Sequence, residues 1–397
     1  MRLREPGGMK GLLQVRKMTW IYVITLITLT ALTAATYAWR QHLIQEAYRT
    51  VAIASHAGKN NHGVASNYAN EIAGMANSMR FWFALFTALT SAVAVVGLME
   101  YVILPFLNMS RVGAVTRVTY HEALLQPFTL IVLALCLAAV IITAFVPFNT
   151  FGEDTKMYRD VALSFVLMFI LVIMVFATGK VIDEEIENRT MLTLMSKPIA
   201  RWQVVLGKYL GVLCLIFVTM AVTTIAAAAA AWVRYFSDQR IAIDVASVAG
   251  RELLFWENKQ AILAMIPAFV LQFMELGTLA AISTAIATRF GLALNMTAII
   301  ALYIGANLTR FVPLLHLGAP WQSIANSASY LLPYLSNFDI NQCLVYRHIT
   351  IGSHYVKGAP TYSQIWRYVG LATLYGLFYI GASLSLAIAL FRNRELT

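Results

Sequence analysis

The chain has 397 residues, of which 59% are hydrophobic and 12% charged, and its mean hydropathy is +0.69. A soluble domain carries roughly 25% charged residues, so this composition excludes a soluble globule and makes the chain an integral membrane protein. The formal charge of +10 is scattered through many loops, which argues against a nucleic-acid partner and directs the bases to anionic lipid headgroups.

The three cysteines, Cys136, Cys214 and Cys343, are odd in number, and two lie inside apolar runs, so they form no disulfide framework. No CxxC, HExxH or clustered histidine set is present, and no metal is expected. Gly58-Lys59, Gly179-Lys180 and Gly207-Lys208 are each followed by a residue other than Ser or Thr. The chain therefore has no P-loop and is not expected to be an enzyme or to bind a cofactor itself.

Residues 1 to 17 are basic, and the apolar run Met18 to Trp39 that follows is long enough for a span of roughly 20 residues. A cleaved signal peptide has a shorter apolar region, which favours a retained span. Residues 40 to 80, rich in Ala, Asn, Ser and Gly, are expected to form a partly helical external loop. Phe81 to Leu107 is the second span and holds an acid, Glu100, within its apolar run. Asn108 to Gln126 is polar. Gly113, Arg117 and His121 fall on one face of a helix there, with Val115, Val118 and Leu125 suited to an interface, so this helix should lie on the membrane rather than cross it.

Leu130 to Phe148 is the third span and Val161 to Gly179 the fourth. Val204 to Val233 is the fifth, with Gly207 and Gly211 at GxxxG spacing. Small residues at that spacing let helices approach closely, either inside one subunit or between two. Ala261 to Thr288 is the sixth span and Leu292 to Val312 the seventh. The three residues between them make the two an antiparallel pair. Residues 314 to 367 are external, with Trp321, Tyr330, Tyr334 and Phe338 placed to rest on the outer interface. Tyr368 to Phe391 is the eighth span.

Glu275 stands near the middle of the sixth span, with Gln272 and Thr278 nearly one turn to either side. A charged side chain at bilayer depth costs about 2.5–3.5 kcal/mol on insertion scales, so Glu275 should face a cavity, another helix or a polar partner. Glu100 poses the same problem. Each is read either as part of a translocation path or as a structural acid between helices.

The most densely charged stretch runs from Asp183 to Gly211 between the fourth and fifth spans. Acids come first (Asp183, Glu184, Glu185, Glu187), then Arg189 and Thr190. Met191, Leu194 and Met195 follow at helical spacing, and Lys197, Pro198 and Arg201 close the stretch. Acids in the first turns and a base near the end suit a helix dipole, and Pro198 ends the helix. An amphipathic helix on the membrane surface is expected.

This stretch resembles the cytoplasmic coupling segment of ABC-2-type transporter permeases. Glu185, Glu187, Thr190, Leu194, Ser196, Pro198, Arg201, Gly207 and Lys208 fall on the family pattern. Arg189 stands where the family usually has Gly, and Leu192 where it usually has an acid. The ending Ala389 to Leu396 also looks like the close of bacterial members. The resemblance covers residues 109–397 and implies an all-α, six-span core with the 108–126 helix as its interfacial elbow. Residues 1–108, with the first two spans and their loop, are then an N-terminal extension, for eight spans in all.

The resemblance further implies the membrane subunit of an ABC exporter. It would dimerise with itself or a homologous permease and work with a separate cytoplasmic ATPase that carries the ATP and Mg. Glu184, Glu185, Glu187, Arg189, Thr190, Pro198 and Arg201 would couple it to that ATPase. An even span count then places both termini in the cytoplasm and the protein in the plasma (inner) membrane. The higher density of bases in the short loops on the coupling side agrees with this orientation. A secondary transporter needs coupling-ion sites at the midplane, for which Glu100 and Glu275 are the candidates, but no inverted repeat is evident. A non-transporting assembly factor or scaffold of the same fold is the other alternative.

Overall fold

The computed structural model describes residues 7–56, 62–148, 154–187, 200–238, 258–309, 332–341 and 361–392. The regular elements among them are helical. The chain divides into two compact units, Met1–Tyr101 and Val102–Thr397.

The first unit is a pair of long helices, α1 (Gly7–His56) and α2 (His62–Leu98), with α2 running on into a π-helical turn, Met99–Ile103. Residues 40 to 80 were expected to be a partly helical loop, and of the residues described there α1 carries 40–56 and α2 carries 62–80 as helix. The stretch contains no proline and is rich in alanine, the best helix former, so nothing stops either helix at the end of its apolar run. Gly97 is what lets the pair close. A Cβ there would stand 1.8 Å from the Tyr22 ring, whose hydroxyl donates to the Val93 carbonyl at 3.0 Å.

The second unit holds α3 (Arg111–Leu124), α4 (Pro127–Phe145), α5 (Asp154–Glu187), α6 (Arg201–Asp238), α7 (Met265–Ala287), α8 (Leu292–Leu308) and α9 (Tyr362–Arg392). Local chemistry sets several ends. The Ser110 hydroxyl accepts from the Gly113 amide at 3.0 Å and caps α3. Pro127 opens α4 at a position where its missing N–H costs nothing. At the start of α6, Gln203 reaches back to the Ala200 amide at 3.1 Å, the return half of a capping box.

Among the described residues seven helices are long and apolar enough to cross a bilayer. The expected seventh span, α8, is apolar but only 17 residues long, about 26 Å at 1.5 Å per residue, short of the ~30 Å hydrocarbon core. Helices α5, α6 and α7 form the centre, with 56–67% of their apolar windows buried, whereas α4 and α9 lie outside with 22% and 28%.

Gly207 and Gly211 pack inside the chain, against α3. A Cβ on Gly207 would meet Val115 at 2.7 Å and the Val112 carbonyl at 2.9 Å. On Gly211 it would meet Thr119 at 2.6 Å and the Thr116 carbonyl at 2.9 Å. The contacts advance together along both helices, so over these turns α3 runs alongside α6 rather than across it. Gly211→Ala should therefore lower the melting temperature of the purified protein, by an overpacking cost of about 1–3 kcal/mol. Gly370→Ala, where an added Cβ meets nothing within 4 Å, should leave it unchanged or raise it. Equal effects of the two substitutions would show that the α3–α6 contact is not close-packed.

Candidate functional site

The stretch between the fourth and fifth spans leaves α5 and enters α6. Of the candidate coupling residues, Glu184, Glu185 and Glu187 lie on the last turns of α5, and their side chains fall outside the description. Arg189, Thr190 and Pro198 lie outside the described residues altogether. Arg201 is the first residue of α6, is exposed, and donates through Nη1 to the Arg392 carbonyl at the end of α9 at 2.9 Å.

Where the charged stretch meets the helices, a buried polar joint holds the ends of four of them. Lys208, 3% exposed, donates through Nζ to the Val181 carbonyl at 2.8 Å, linking α6 to α5. The Ser283 hydroxyl of α7 donates to Thr178 Oγ1 of α5 at 2.8 Å. Asn295 Nδ2 of α8 donates to Ser283 Oγ at 3.0 Å. All three side chains are fully buried. Gly179 makes room for the crossing, because a Cβ there would stand 2.5 Å from Leu292 Cδ1 and 3.2 Å from Asn295 Nδ2. An apolar cluster of Val204, Val205, Ala285, Ala387 and Phe391 adds α9 to the same end.

Glu275 stands eight residues before Ser283 on α7, about 12 Å further into the membrane. It is 3% exposed, and among the described residues its carboxyl has no hydrogen-bond or ion-pair partner. Asp339 and Tyr303 lie within electrostatic range of it. Gln272 is also buried. Its Nε2 donates to the Leu163 carbonyl of α5 at 3.3 Å, while its Oε1 is unpartnered. The two residues thus sit inside the bundle and not on lipid. Glu100 lies in the first unit, half-buried in the π-helical turn.

Asp339 belongs to a segment, 332–341, that is irregular apart from a 3-10 turn at Leu335–Asn337. Three tyrosines on one face of α9 satisfy its backbone. Tyr368 donates to the Asn337 carbonyl at 2.7 Å, Tyr375 accepts from the Tyr334 amide at 2.9 Å, and Tyr379 donates to the Leu332 carbonyl at 3.4 Å. Tyr379 is 13 residues from Arg392, about 20 Å along α9. The segment therefore reaches along α9 to the depth of its apolar middle, where irregular backbone is tolerated only if buried in protein or lining a cavity. Phe338, expected at the outer interface, is instead 1% exposed and packed against Gly376 at about mid-helix. Tyr334 is exposed, and Trp321 and Tyr330 lie outside the described residues.

At the opposite end of α6, Arg234 is a clamp that sequence reasoning missed. It lies 3.5 Å from Asp154 of α5 and 3.6 Å from Asp238. It also donates to the Thr143 and Ala144 carbonyls of α4 at 3.1 and 2.9 Å. Its guanidinium sits over the rings of Phe148 and Tyr158, and Thr155 donates to Asp238 at 2.6 Å. The one local signal was a base four residues before an acid at the end of an apolar run. Among the described residues no group of three or more His, Cys, Asp or Glu could hold a metal ion.

Two substitutions test the site. Arg234→Met leaves Asp154 and Asp238 without their cation and should destabilise by about 3–5 kcal/mol. Adding Asp154→Asn and Asp238→Asn should recover much of the loss of melting temperature, and a triple variant no better than the single would show that the clamp acts only through packing. Glu275→Gln should leave melting unchanged and lower transport if the carboxyl serves a path or moving interface. Wild-type transport would make it a structural acid.

A family model described as ABC-2 family transporter protein matches residues 14–396, which takes in the first two spans as well as the second unit. No curated protein matches the chain.

Proposed function

Because the chain belongs to the ABC-2 family of transporter membrane proteins, we propose that it is the multi-pass permease subunit of an ATP-driven exporter. In this reading it dimerises with itself or a homologous permease. A separate cytoplasmic ATPase binds ATP and Mg and docks on the stretch 183–201, where Glu184, Glu185, Glu187, Arg189, Thr190, Pro198 and Arg201 transmit its movement. The chain itself hydrolyses nothing. It crosses the plasma (inner) membrane eight times, α8 being the short seventh span, with both termini in the cytoplasm. Residues 1–108 are an extension to the core of residues 109–397.

The observation that carries the reading is the buried joint of Lys208, Thr178, Ser283 and Asn295. A surface segment can drive a membrane bundle only if its ends are stiffly tied to the spans that must move. Here both ends enter helices that are hydrogen-bonded to each other and, through α5, to α7 and α8. ATP binding would close the ATPase pair, push on the segment and tilt these helices together. Glu275 and Gln272, about two to three turns further in, would meet the substrate or the moving helix surface.

The chain expressed alone should not hydrolyse ATP and should co-purify with a P-loop ATPase from its native membrane. In a cysteine-free background, a cysteine at position 193 should react with an impermeant thiol reagent only after the membrane is opened. Labelling in intact cells would place the segment on the wrong side for an ATPase and end this reading.

A further inference from the structure

Two acids meet among α7, α8, α9 and the segment 332–341 with no base beside them. Glu275 of α7 is 3% exposed, whereas Asp339 of the segment is exposed. The residues that precede them pack on one point of α9, because a Cβ on Gly376 would meet Met274 Cε at 3.2 Å and Phe338 Cζ at 3.3 Å. Tyr303 of α8 lies within electrostatic range of both acids, and Tyr368 of α9 within range of Asp339. Among the described residues neither carboxyl is ion-paired, and Asp339 Oδ1 accepts from the Asn341 amide at 3.2 Å. We propose that this is the binding site for the cationic part of the substrate, a substituted ammonium group held between Glu275 and Asp339 and seated against the rings of Tyr303 and Tyr368. The assignment rests on the permease reading above and names the class of its cargo.

Three observations carry it. The first is the missing charge. Elsewhere the bundle pairs its buried ions, as it does Arg234 with Asp154 and Asp238. Around Glu275 the described residues supply a second acid, two phenols and the Gln272 oxygen. That oxygen, nearly one turn before Glu275 on α7, is buried without a partner, while the Gln272 nitrogen is already given to the Leu163 carbonyl. A buried carboxylate is stable only when paired, and the positive charge that would pair it is the one thing the site lacks.

The second observation is the kind of cation the site suits. A divalent metal ion takes about six oxygen ligands or more, and among the described residues no third His, Cys, Asp or Glu joins the two acids. Aromatic faces beside a carboxylate are instead the chemistry that holds substituted ammonium groups. The Tyr368 hydroxyl is already donated to the Asn337 carbonyl at 2.7 Å, which leaves its ring for a ligand.

The third is depth. Phe338, next to Asp339, is seated at Gly376 near the middle of α9. An exposed carboxylate at such a depth is costly against hydrocarbon and belongs beside a water-filled space. A cation arriving from that space meets Asp339 first. Glu275, behind it, binds the cation as its water is removed.

The test uses the full chain purified in detergent, without ATP or any ATPase. A failure here therefore leaves the permease reading standing, and a failure to co-purify an ATPase leaves this result untouched. The probes are choline and its uncharged carbon isostere, in which a tert-butyl group replaces trimethylammonium. Affinity is read by saturation-transfer NMR, with the melting temperature of each variant as the check on folding. Wild type should bind choline about tenfold more tightly than the isostere, the scale of one desolvated cation–π or charge pair. Glu275→Gln should lower choline to the affinity of the isostere, and Glu275→Asp should keep most of the preference. Asp339→Asn should weaken choline only about threefold, since an exposed charge is screened by water. Tyr303→Leu should weaken choline and Tyr303→Phe preserve it. Equal binding of the two probes by wild type, or an unchanged preference in Glu275→Gln, overturns the site and leaves Glu275 a structural acid. Displacement of choline by sodium ions at the same concentration also overturns it, in favour of a site for small inorganic cations.

Discussion

Hydrocarbon offers a buried polar group nothing to bond, so in a bilayer each such group must find its partner inside the protein. In water the Thr178, Ser283 and Asn295 side chains could be satisfied anywhere on a surface. Buried in this bundle, they bond across α5, α7 and α8, and their geometry fixes how those helices meet. Lys208 does the same between α6 and α5, its Nζ bonded to the Val181 carbonyl, since a buried amine left without a partner is costly. Close packing makes these bonds reachable. Gly179 brings α5 within reach of Asn295, and Gly207 and Gly211 bring α6 within reach of α3.

The second unit is thus tied at both ends in different ways. At the end away from the charged segment a buried arginine gathers two carboxylates, two carbonyls and two rings, binding α4, α5 and α6 in one cluster. At the other end neutral hydrogen bonds and one lysine bind α5 through α8. Neutral bonds in lipid contribute little each, about 0.6 kcal/mol on average in measured cases, so the second joint depends on several such bonds acting together with close packing. Between the two ends lie the buried Glu275 and Gln272; among the described residues the Gln272 oxygen has no hydrogen-bond partner, and a buried group of that kind calls for a local explanation.

The segment 332–341 follows from the same constraint. Its irregular backbone lies alongside α9 because Tyr368, Tyr375 and Tyr379 supply the bonds that a helix would have supplied internally. Helix α8 can be short for a related reason. Gly305 on it approaches Leu332 of the segment, so the segment occupies part of the outer layer that a full-length helix would otherwise fill.

Much was legible in the sequence, and the reason is physical. Spans require long apolar runs whatever their neighbours do, so seven of them, and the apolar character of α8, could be read from the chain one residue at a time. The capped helix before the third span and the family pattern around Pro198 and Lys208 are likewise local. Where sequence and structure part, the deciding contact is long-range. Residues 40 to 80 looked like a partly helical loop because they are polar, but alanine and a partner helix carry 40–56 and 62–80 as helix. Phe338 looked interfacial because it is aromatic, but Gly376 on α9 gives it a buried seat. Whether Gly207 and Gly211 faced another subunit or the chain itself could not follow from their spacing, since GxxxG offers the same smooth surface to either. Composition and periodicity thus determined by themselves that the chain is an all-helical, multi-pass membrane protein with its charge concentrated between two spans. Only the tertiary structure decided which polar residues meet, because Thr178, Ser283 and Asn295 become a joint when α5, distant in sequence, packs on the consecutive pair α7 and α8 and excludes solvent around them.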